Sequence, residues 1–369
     1  MEFFATAARG TDSALYDELR ELGLGGVKTS YGGVAFAGER EDGWRACLYS
    51  RIAQRIQMPL ARFAVVDEAS LYAGVRAIDW SPYLTPRLTL AVSAFCHSSA
   101  LTHSGFIALK TKDAIVDQFR DACGERPSVS RDDPDVRIFV HLVQNGATVY
   151  LDLAGLPLFK RGYRGETGEA PLKETLAAAM LRLAGWDRRQ PLVDPMCGSG
   201  TIAIEAAMWA GAIAPGILRP RFGFERWACH DADAARRMAE LRGEARSGAH
   251  GQAGRILASD VDVRMVELAR TNARAAGVRI AFREAPLAEL QPAATPFLVV
   301  SNPPYGMRLE ADAPFFRDMA AAFSRLHGCR VALLAGTPEI LKAMPLRPTA
   351  SHTLFNGDIE CRFVVYDVP

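Results

Sequence analysis

Leu192-Val193-Asp194-Pro195-Met196-Cys197-Gly198-Ser199-Gly200-Thr201 is a short apolar strand that ends in an acid, turns on two glycines and enters an apolar helix through Ala203, Ile204, Ala206, Ala207 and Trp209. Such a joint brings backbone N–H groups and a helix N-terminus up to a ligand, and glycine permits the close approach. A tight strand-to-helix connection with no ligand reads the same way, so the neighbours must decide between the two. Gly200-Thr201 lacks the lysine of a nucleoside-triphosphate loop. Cys197 sits in the turn rather than beside a reacting base, which argues against a covalent nucleophile.

Downstream, short apolar strands alternate with amphipathic helices, the pattern of an α/β domain with a mainly parallel sheet. Strands are expected at 192–194, 256–260, 278–282, 297–302 and 331–334. Helices are expected at 201–210 and 262–276, with Gly211 and Gly277 just past their ends. Ligands of such sheets bind at the carboxyl ends of the strands. Asp194 and Asp260 end the first two strands, Glu284 follows the third, and Asn302 ends the fourth. The separation of Asp194 from Asp260 far exceeds the ~20 residues of a simple dinucleotide fold, so an insertion running to His250 fills the gap. An acid ending the second strand suits two ribose hydroxyls, whereas Asp262 suits a helix N-cap.

The fourth strand leads into Ser301-Asn302-Pro303-Pro304-Tyr305-Gly306. Two prolines stop the ladder and stiffen the turn. The turn can then present the Asn302 side-chain oxygen and the Pro303 carbonyl to both hydrogens of one planar amino group. An exocyclic amine gives its lone pair to the ring and is a poor nucleophile. Two such hydrogen bonds favour a pyramidal nitrogen and aim it at an electrophile by orientation and electrostatics. Tyr305 offers a face for an extruded base. A purely structural turn is the alternative.

The N-terminal half reads as α+β. A strand is expected at 3–7 and a helix capped by Thr11-Asp12-Ser13, with Leu15, Leu19 and Leu22 on one face. A hairpin follows at 27–30 and 34–37, then a helix around 46–53. Beyond it, 87–95 and 136–142 alternate as half-buried strands around a helix at 106–120. Lys110 and Lys112 lie on that helix, where they could meet phosphates, although Asp113, Asp117 and Asp121 neutralise much of the charge and composition alone favours a solvated face.

Composition sets the outer bounds. The 369 residues are 49% hydrophobic and 23% charged, ordinary for a globular protein of two or three domains, and a net charge of +1 confines any basic footprint to local patches. No apolar run approaches the ~20 residues of a membrane span, and Met1-Glu2-Phe3-Phe4-Ala5 lacks a basic, apolar leader, so a cytoplasmic protein is expected. Seven scattered cysteines without a Cys-x-x-Cys pair, and histidines without ligand spacing, indicate neither disulfides nor a metal.

Phe106 to Asp117, Arg126-Pro127, Asp152-Leu153 and Arg161-Gly162-Tyr163-Arg164 together resemble the THUMP domain, an RNA-binding module, and its exit. The Asp194 to Thr201 turn, the acid row and Asn302-Pro303-Pro304-Tyr305 resemble class I S-adenosylmethionine-dependent methyltransferases acting on amino nitrogens. With Ala170 to Glu174, Ile213 to Gly216, Phe222-Gly223-Phe224 and Trp227, the ordered set is similar to the bacterial THUMP-containing methyltransferases that make N2-methylguanosine in large-subunit rRNA.

The resemblance implies a ferredoxin-like unit at 1–44, with its end placed between 44 and 60, and a THUMP domain at 45–155. A seven-stranded, Rossmann-like methyltransferase domain at 156–369 completes it. It implies S-adenosylmethionine held by Pro171, Lys173, Thr175, Asp194, Pro195, Cys197, Gly198, Gly200, Thr201, Asp260 and Glu284. The target base would be held by Asn302, Pro303, Pro304 and Tyr305, and RNA contacts would fall at Lys110 and Lys112. The expected activity is methyl transfer to guanine N2 in RNA, most specifically 23S rRNA, with neither DNA nor membrane as partner. Some members continue into a second methyltransferase domain, whereas this chain stops at Pro369, so one activity is expected. Adenine-N6 methylation of RNA or DNA, glutamine methylation and a non-catalytic ribosome-assembly role are the alternatives.

Overall fold

The computed structural model describes residues 1–165, 172–251, 255–291, 296–304 and 313–369. Residues 2–152 build one eight-stranded sheet from β1 (Glu2–Thr6), β2 (Gly25–Ser30), β3 (Gly33–Ala37), β4 (Arg55–Ala64), β5 (Thr89–His97), β6 (Ser128–Val129), β7 (Val136–Val143) and β8 (Gly146–Asp152). Its order is β2-β3-β1-β4-β8-β7-β5-β6, antiparallel except where β5 meets β7 and β6. Helices α1 (Asp12–Glu21), α2 (Arg40–Tyr49), α3 (Glu68–Arg76) and α4 (Ser104–Cys123) complete this region. Strict alternation along β7 buries Val136, Ile138, Val140 and Leu142, which share a core with Ile107, Ala114, Ile115 and Phe119 of α4.

The second sheet has seven strands in the order β11-β10-β9-β12-β13-β15-β14. Parallel strands β9 (Leu192–Asp194), β10 (Ile256–Asp260), β11 (Ala281–Glu284), β12 (Leu298–Ser301) and β13 (Arg330–Ala335) are joined by the antiparallel hairpin β14 (Ala350–Asn356) and β15 (Ile359–Asp367). Helices α5 (Glu174–Leu183), α6 (Thr201–Ala210) and α8 (Val263–Ala275) pack on the face of Leu192, Leu298 and Val300. Helices α9 (Ala313–Ser324) and α10 (Pro338–Ala343) pack on that of Val193, Val299 and Val331. The long helix α7 (Ala232–Gly248) belongs to the insertion before β10.

That insertion faces the N-terminal region. Phe222, Phe224, Trp227, Met238 and Leu241 join the N-terminal core, and Phe224 stacks on Trp44 at 5.1 Å with planes 8° apart. A buried ion pair secures the same junction. Arg161, 1% exposed, reaches Glu205 of α6, 0% exposed, at 3.3 Å, and also donates to the carbonyls of Leu158 and Arg51. Tyr163 adds its hydroxyl to Glu205 at 3.3 Å.

Several expected boundaries move for identifiable reasons. The helix expected at 46–53 is α2, shifted toward the N-terminus. Asp42 accepts the Glu39 N–H at 2.9 Å to start it, and buried Glu18 accepts from Ser50 Oγ, the Arg51 N–H and the Ile52 N–H, drawing those residues out of the helix. Thr11 stands at the N-cap of α1, but its hydroxyl donates to the Ala8 carbonyl instead of capping. Arg87 and Leu88 belong to a turn before β5, closed by Leu88 N–H to Thr85 C=O. The strand expected at 278–282 is β11, because the Gly277 and Val278 N–H groups close the end of α8. Glu284 consequently ends β11, paired with Asp260, rather than following it.

Glu205→Ala leaves a buried guanidinium short of its counter-charge and is expected to cost about 3–5 kcal/mol in chemical denaturation. The pair Arg161→Met with Glu205→Leu should recover part of that loss.

Candidate functional site

The carboxyl ends of β9, β10, β11 and β12 lie side by side, because these strands are consecutive parallel neighbours in the sheet. The turn after β9 is fixed from three sides. The Cys197 N–H reaches the Ser259 carbonyl at 2.9 Å, the Gly198 N–H reaches Asp260 Oδ2 at 2.9 Å, and the Asn272 amide holds the Ser199 carbonyl at 3.0 Å. Gly198 and Gly200 have φ of 51° and 84°, the left-handed region open to glycine. A Cβ at Gly200 would stand 2.9 Å from that of Ala269 on α8, whereas one at Gly198 would meet nothing within 4 Å. Gly200 thus packs the turn on the fold, and Gly198 leaves its outer side clear for a ligand.

Asp260 is pinned as it offers its carboxylate, since the Asp262 N–H donates to Oδ1 at 3.0 Å. Asp262 caps α8 by accepting the Arg264 N–H, as its N-cap reading requires. Glu284 is exposed in register with Asp260. Thr201 opens α6, and Arg164 donates to its hydroxyl and to the Leu172 carbonyl and pairs with Glu174 at 3.5 Å. Lys173 is the N-cap residue of α5 with its ammonium 5.2 Å from the Phe159 ring centre. Thr175 is buried in the first turn of α5, and its Oγ1 has no partner among the described residues. Pro195 is buried in the turn behind Asp194.

Asn302 follows β12, with Pro303 and Pro304 after it. Its Oδ1 is also buried and without a partner among the described residues. Directly before it, Ser301 donates at 2.8 Å to Asp194, which is 1% exposed. Burial pushes the Asp194 carboxyl up to about 7, and the nearby Asp260 charge adds to the rise against the hydrogen bonds from Ser301 and the Met196 N–H. Burial likewise pushes the Cys197 thiol up, the opposite of what a thiolate nucleophile needs.

Ser301 and Arg164 carry roles that the sequence does not announce. A hydroxyl next to Asn302 and an arginine near the start of the methyltransferase domain are weak local signals, because Ser301 meets Asp194 and Arg164 meets Thr201 only in the fold. Pro171 and Tyr305 fall outside the described residues. Lys110 and Lys112 lie away from this row, on α4, where Lys110 pairs with Glu68 at 3.6 Å and Lys112 with Asp113. His103 accepts the Phe106 N–H at 2.9 Å as the N-cap of α4, and His230 lies edge-on to Trp44 and Phe224.

Residues 161–364 match the family model described as the RMKL-like methyltransferase domain. The chain belongs to the RMKL-like methyltransferases. Residues 65–152 match the THUMP domain, and residues 2–57 the RlmL ferredoxin-like domain. A relative from Methylococcus capsulatus, named ribosomal RNA large subunit methyltransferase K/L, is 44% identical over all of this chain, which covers 51% of that protein. The chain spans about half the length of the curated relatives it matches. Among solved structures, SMU.472, a putative methyltransferase complexed with SAH, is 32% identical with a TM-score of 0.89 over all of this chain and 98% of the other. A predicted N6-adenine-specific DNA methylase from Listeria monocytogenes is 30% identical with a TM-score of 0.89, covering 96% of that chain. These matches bear out the ferredoxin-like and THUMP regions and the class I methyltransferase sheet. No described helix is long and apolar enough to cross a membrane.

The raised Asp194 carboxyl gives this RMKL-like domain a measurable pH signature. Between its unfolded value of 3.8 and about 7 the folded state holds one proton more than the unfolded state, so this contribution to stability falls as pH rises through that window. Relative to Asp194→Asn, the parent should gain stability on acidification from pH 8 to pH 5, by at most about 1.4 kcal/mol per pH unit inside the window. Parallel urea titrations across this range check it. A stability difference flat in pH would mean that Asp194 stays charged in the fold.

Proposed function

We propose that this chain transfers a methyl group from S-adenosylmethionine to the exocyclic N2 amino group of a guanine in RNA, with large-subunit rRNA as the substrate. The observation that carries this reading is the buried Asn302 Oδ1 just after β12, without a partner among the described residues and next to the Ser301–Asp194 hydrogen bond. A buried acceptor without a donor is costly, and an amino hydrogen of a bound base would satisfy it. The stiff prolines then set the direction of the Asn302 and Pro303 acceptors, so the chain's contribution is orientation and charge placement at the nitrogen.

S-adenosylmethionine, when bound, supplies an activated methyl group. The residues present fit it: the clear outer side of Gly198, the fixed Asp260 carboxylate and exposed Glu284 stand on one strand-end row, and Thr175 Oγ1 on α5 has no partner among the described residues. We assign the turn from Asp194 to Thr201 and the segment from Pro171 to Thr175 to the methionine part, Asp260 to the ribose and Glu284 to the adenine side. Asn302, Pro303, Pro304 and Tyr305 are assigned to the base.

We further read residues 1–44, with an end as late as 60, as the ferredoxin-like unit, 45–155 as THUMP and 156–369 as the methyltransferase domain of a cytoplasmic enzyme. Contacts of Lys110 and Lys112 with RNA would replace their pairs with Glu68 and Asp113. The K/L relatives named for large-subunit rRNA support the substrate class. Adenine N6 is the second reading, favoured by the name of the Listeria monocytogenes relative, since the turn itself presents the same acceptors to either amine.

Incubation of the full chain with unmodified 23S rRNA and labelled S-adenosylmethionine, followed by digestion to nucleosides, is expected to place the label in N2-methylguanosine. Label in N6-methyladenosine would overturn the base assignment, and no transfer to any RNA would overturn the activity. Asn302→Ala should bind S-adenosylmethionine within about twofold of the parent while losing roughly 100-fold in turnover, comparable to removing one preorganised polar group from an active site. Parallel loss of both would make Asn302 structural.

A further inference from the structure

The eight-stranded sheet has one face with no helical cover among the described elements, and its side chains are unlike those of an ordinary wet surface. Phe4 of β1, Tyr150 of β8, Phe139 and His141 of β7 and Phe95 of β5 all project there. The register pairs Phe139 with Tyr150 and Phe95 with His141, and Phe4 lies diagonally across β4 from Tyr150. The rings form a chain of contacts: Phe4 to Tyr150, Tyr150 to Phe139 and Phe139 to His141 at 6.4 Å each, then His141 stacked on Phe95 at 5.5 Å.

Alternation sends Val136, Ile138, Val140, Val149 and Leu151 to the opposite face, where they are at most 1% exposed. None of the four aromatic residues Phe4, Phe95, Phe139 and Tyr150 joins that core, and Phe95 is 47% exposed. A row of connected aromatic rings left outside the core marks a contact surface rather than packing.

Charge on this face selects the partner. Arg55, Arg62, Arg137 and Lys28 share it by register, against Glu2 and Asp152. Both carboxylates are already paired, Glu2 with Arg62 at 2.6 Å and Asp152 with Arg55. Arg137 donates to the Asp132 carbonyl at 2.7 Å rather than to a carboxylate, and Lys28 is exposed. Aromatic rings in file beside an excess of cations suit unpaired nucleotides, whose bases stack on rings while phosphates meet the cations. A duplex hides its base faces and cannot use the row.

We propose that this face of the N-terminal sheet is a stacking platform for a single-stranded stretch of RNA. The inference rests on RNA being the substrate, and it adds the form of RNA gripped and the residues that grip it. Burial pulls the His141 imidazole below its usual value, so it enters the row as a neutral ring near pH 7.

Fluorescence anisotropy with the full chain and a labelled twelve-nucleotide oligouridine tests this. Phe95→Ala, Phe139→Ala and Tyr150→Ala should each weaken binding at least about fivefold. Phe95→Tyr and Phe139→Tyr should retain it, and thermal melting should show all variants folded. An RNA duplex of equal length should bind parent and variants alike. Equal affinity of parent and alanine variants for the single strand would overturn the platform. So would alanine variants that keep RNA affinity but lose a concentration-dependent dimer seen by sedimentation, which would assign the face to a second copy. If ring removal weakens oligouridine binding while the parent methylates no rRNA, the platform stands and the enzymatic reading falls. If variants with unchanged affinity still methylate rRNA, the reverse holds.

Discussion

Arg161 and Glu205 face each other where water does not reach, and the surrounding construction follows from keeping both satisfied. An isolated charge in such a place costs several kcal/mol, so each group needs its partner and further hydrogen bonds. Arg161 finds them in the carbonyls of Leu158 and Arg51, which binds the exit segment to the N-terminal region. Glu205 stands on α6, one turn beyond Thr201 and the glycine turn. Arg164, three residues after Arg161, reaches Thr201, Leu172 and Glu174. The cofactor-side elements and the N-terminal sheet therefore share one buried polar knot, and neither can rotate without exposing or orphaning a charge.

The site uses the same economy of fixed groups. Asp260 is held by two backbone N–H groups, and Asp194 by Ser301, so the carboxylates do not have to be ordered when a ligand arrives. Buried Thr175 and Asn302 differ, each keeping an oxygen without a donor among the described residues. Preorganised acceptors thus shape the turn, while unsatisfied oxygens are left for something that binds.

Much of this was legible in the chain, and the reasons are local. The turn from Asp194 to Gly200, the helix 201–210 and the Asp262 cap follow from glycine, proline and capping chemistry within a few residues. The acid row followed from strand ends, since parallel neighbours place them together. What escaped depends on distant partners. Glu18 pulls Ser50 and Arg51 out of a helix from more than thirty residues away, so the 46–53 expectation slid. Strands β4 and β8 went unread although they carry the join of the N-terminal sheet. The aromatic row was invisible because its members come from separate strands and meet only through register.

The placement of β15 between β13 and β14 has a consequence in time. Among the described strands, β14 pairs with the sheet only through β15, although it is made earlier. The same edge receives the N-terminal region: Gly10 packs so closely on Thr353 that a Cβ would fall 1.9 Å from its carbonyl oxygen, and Arg9 lies 3.7 Å over the Phe355 ring. During synthesis Arg9 and Gly10, made long before β15, thus wait for it before this docking edge is locked. Domains made early can fold as units, but their final seating is set by a strand made late. Until β15 is made, β14 has no neighbour in its sheet among the described strands, and the edge met by Arg9 and Gly10 is incomplete.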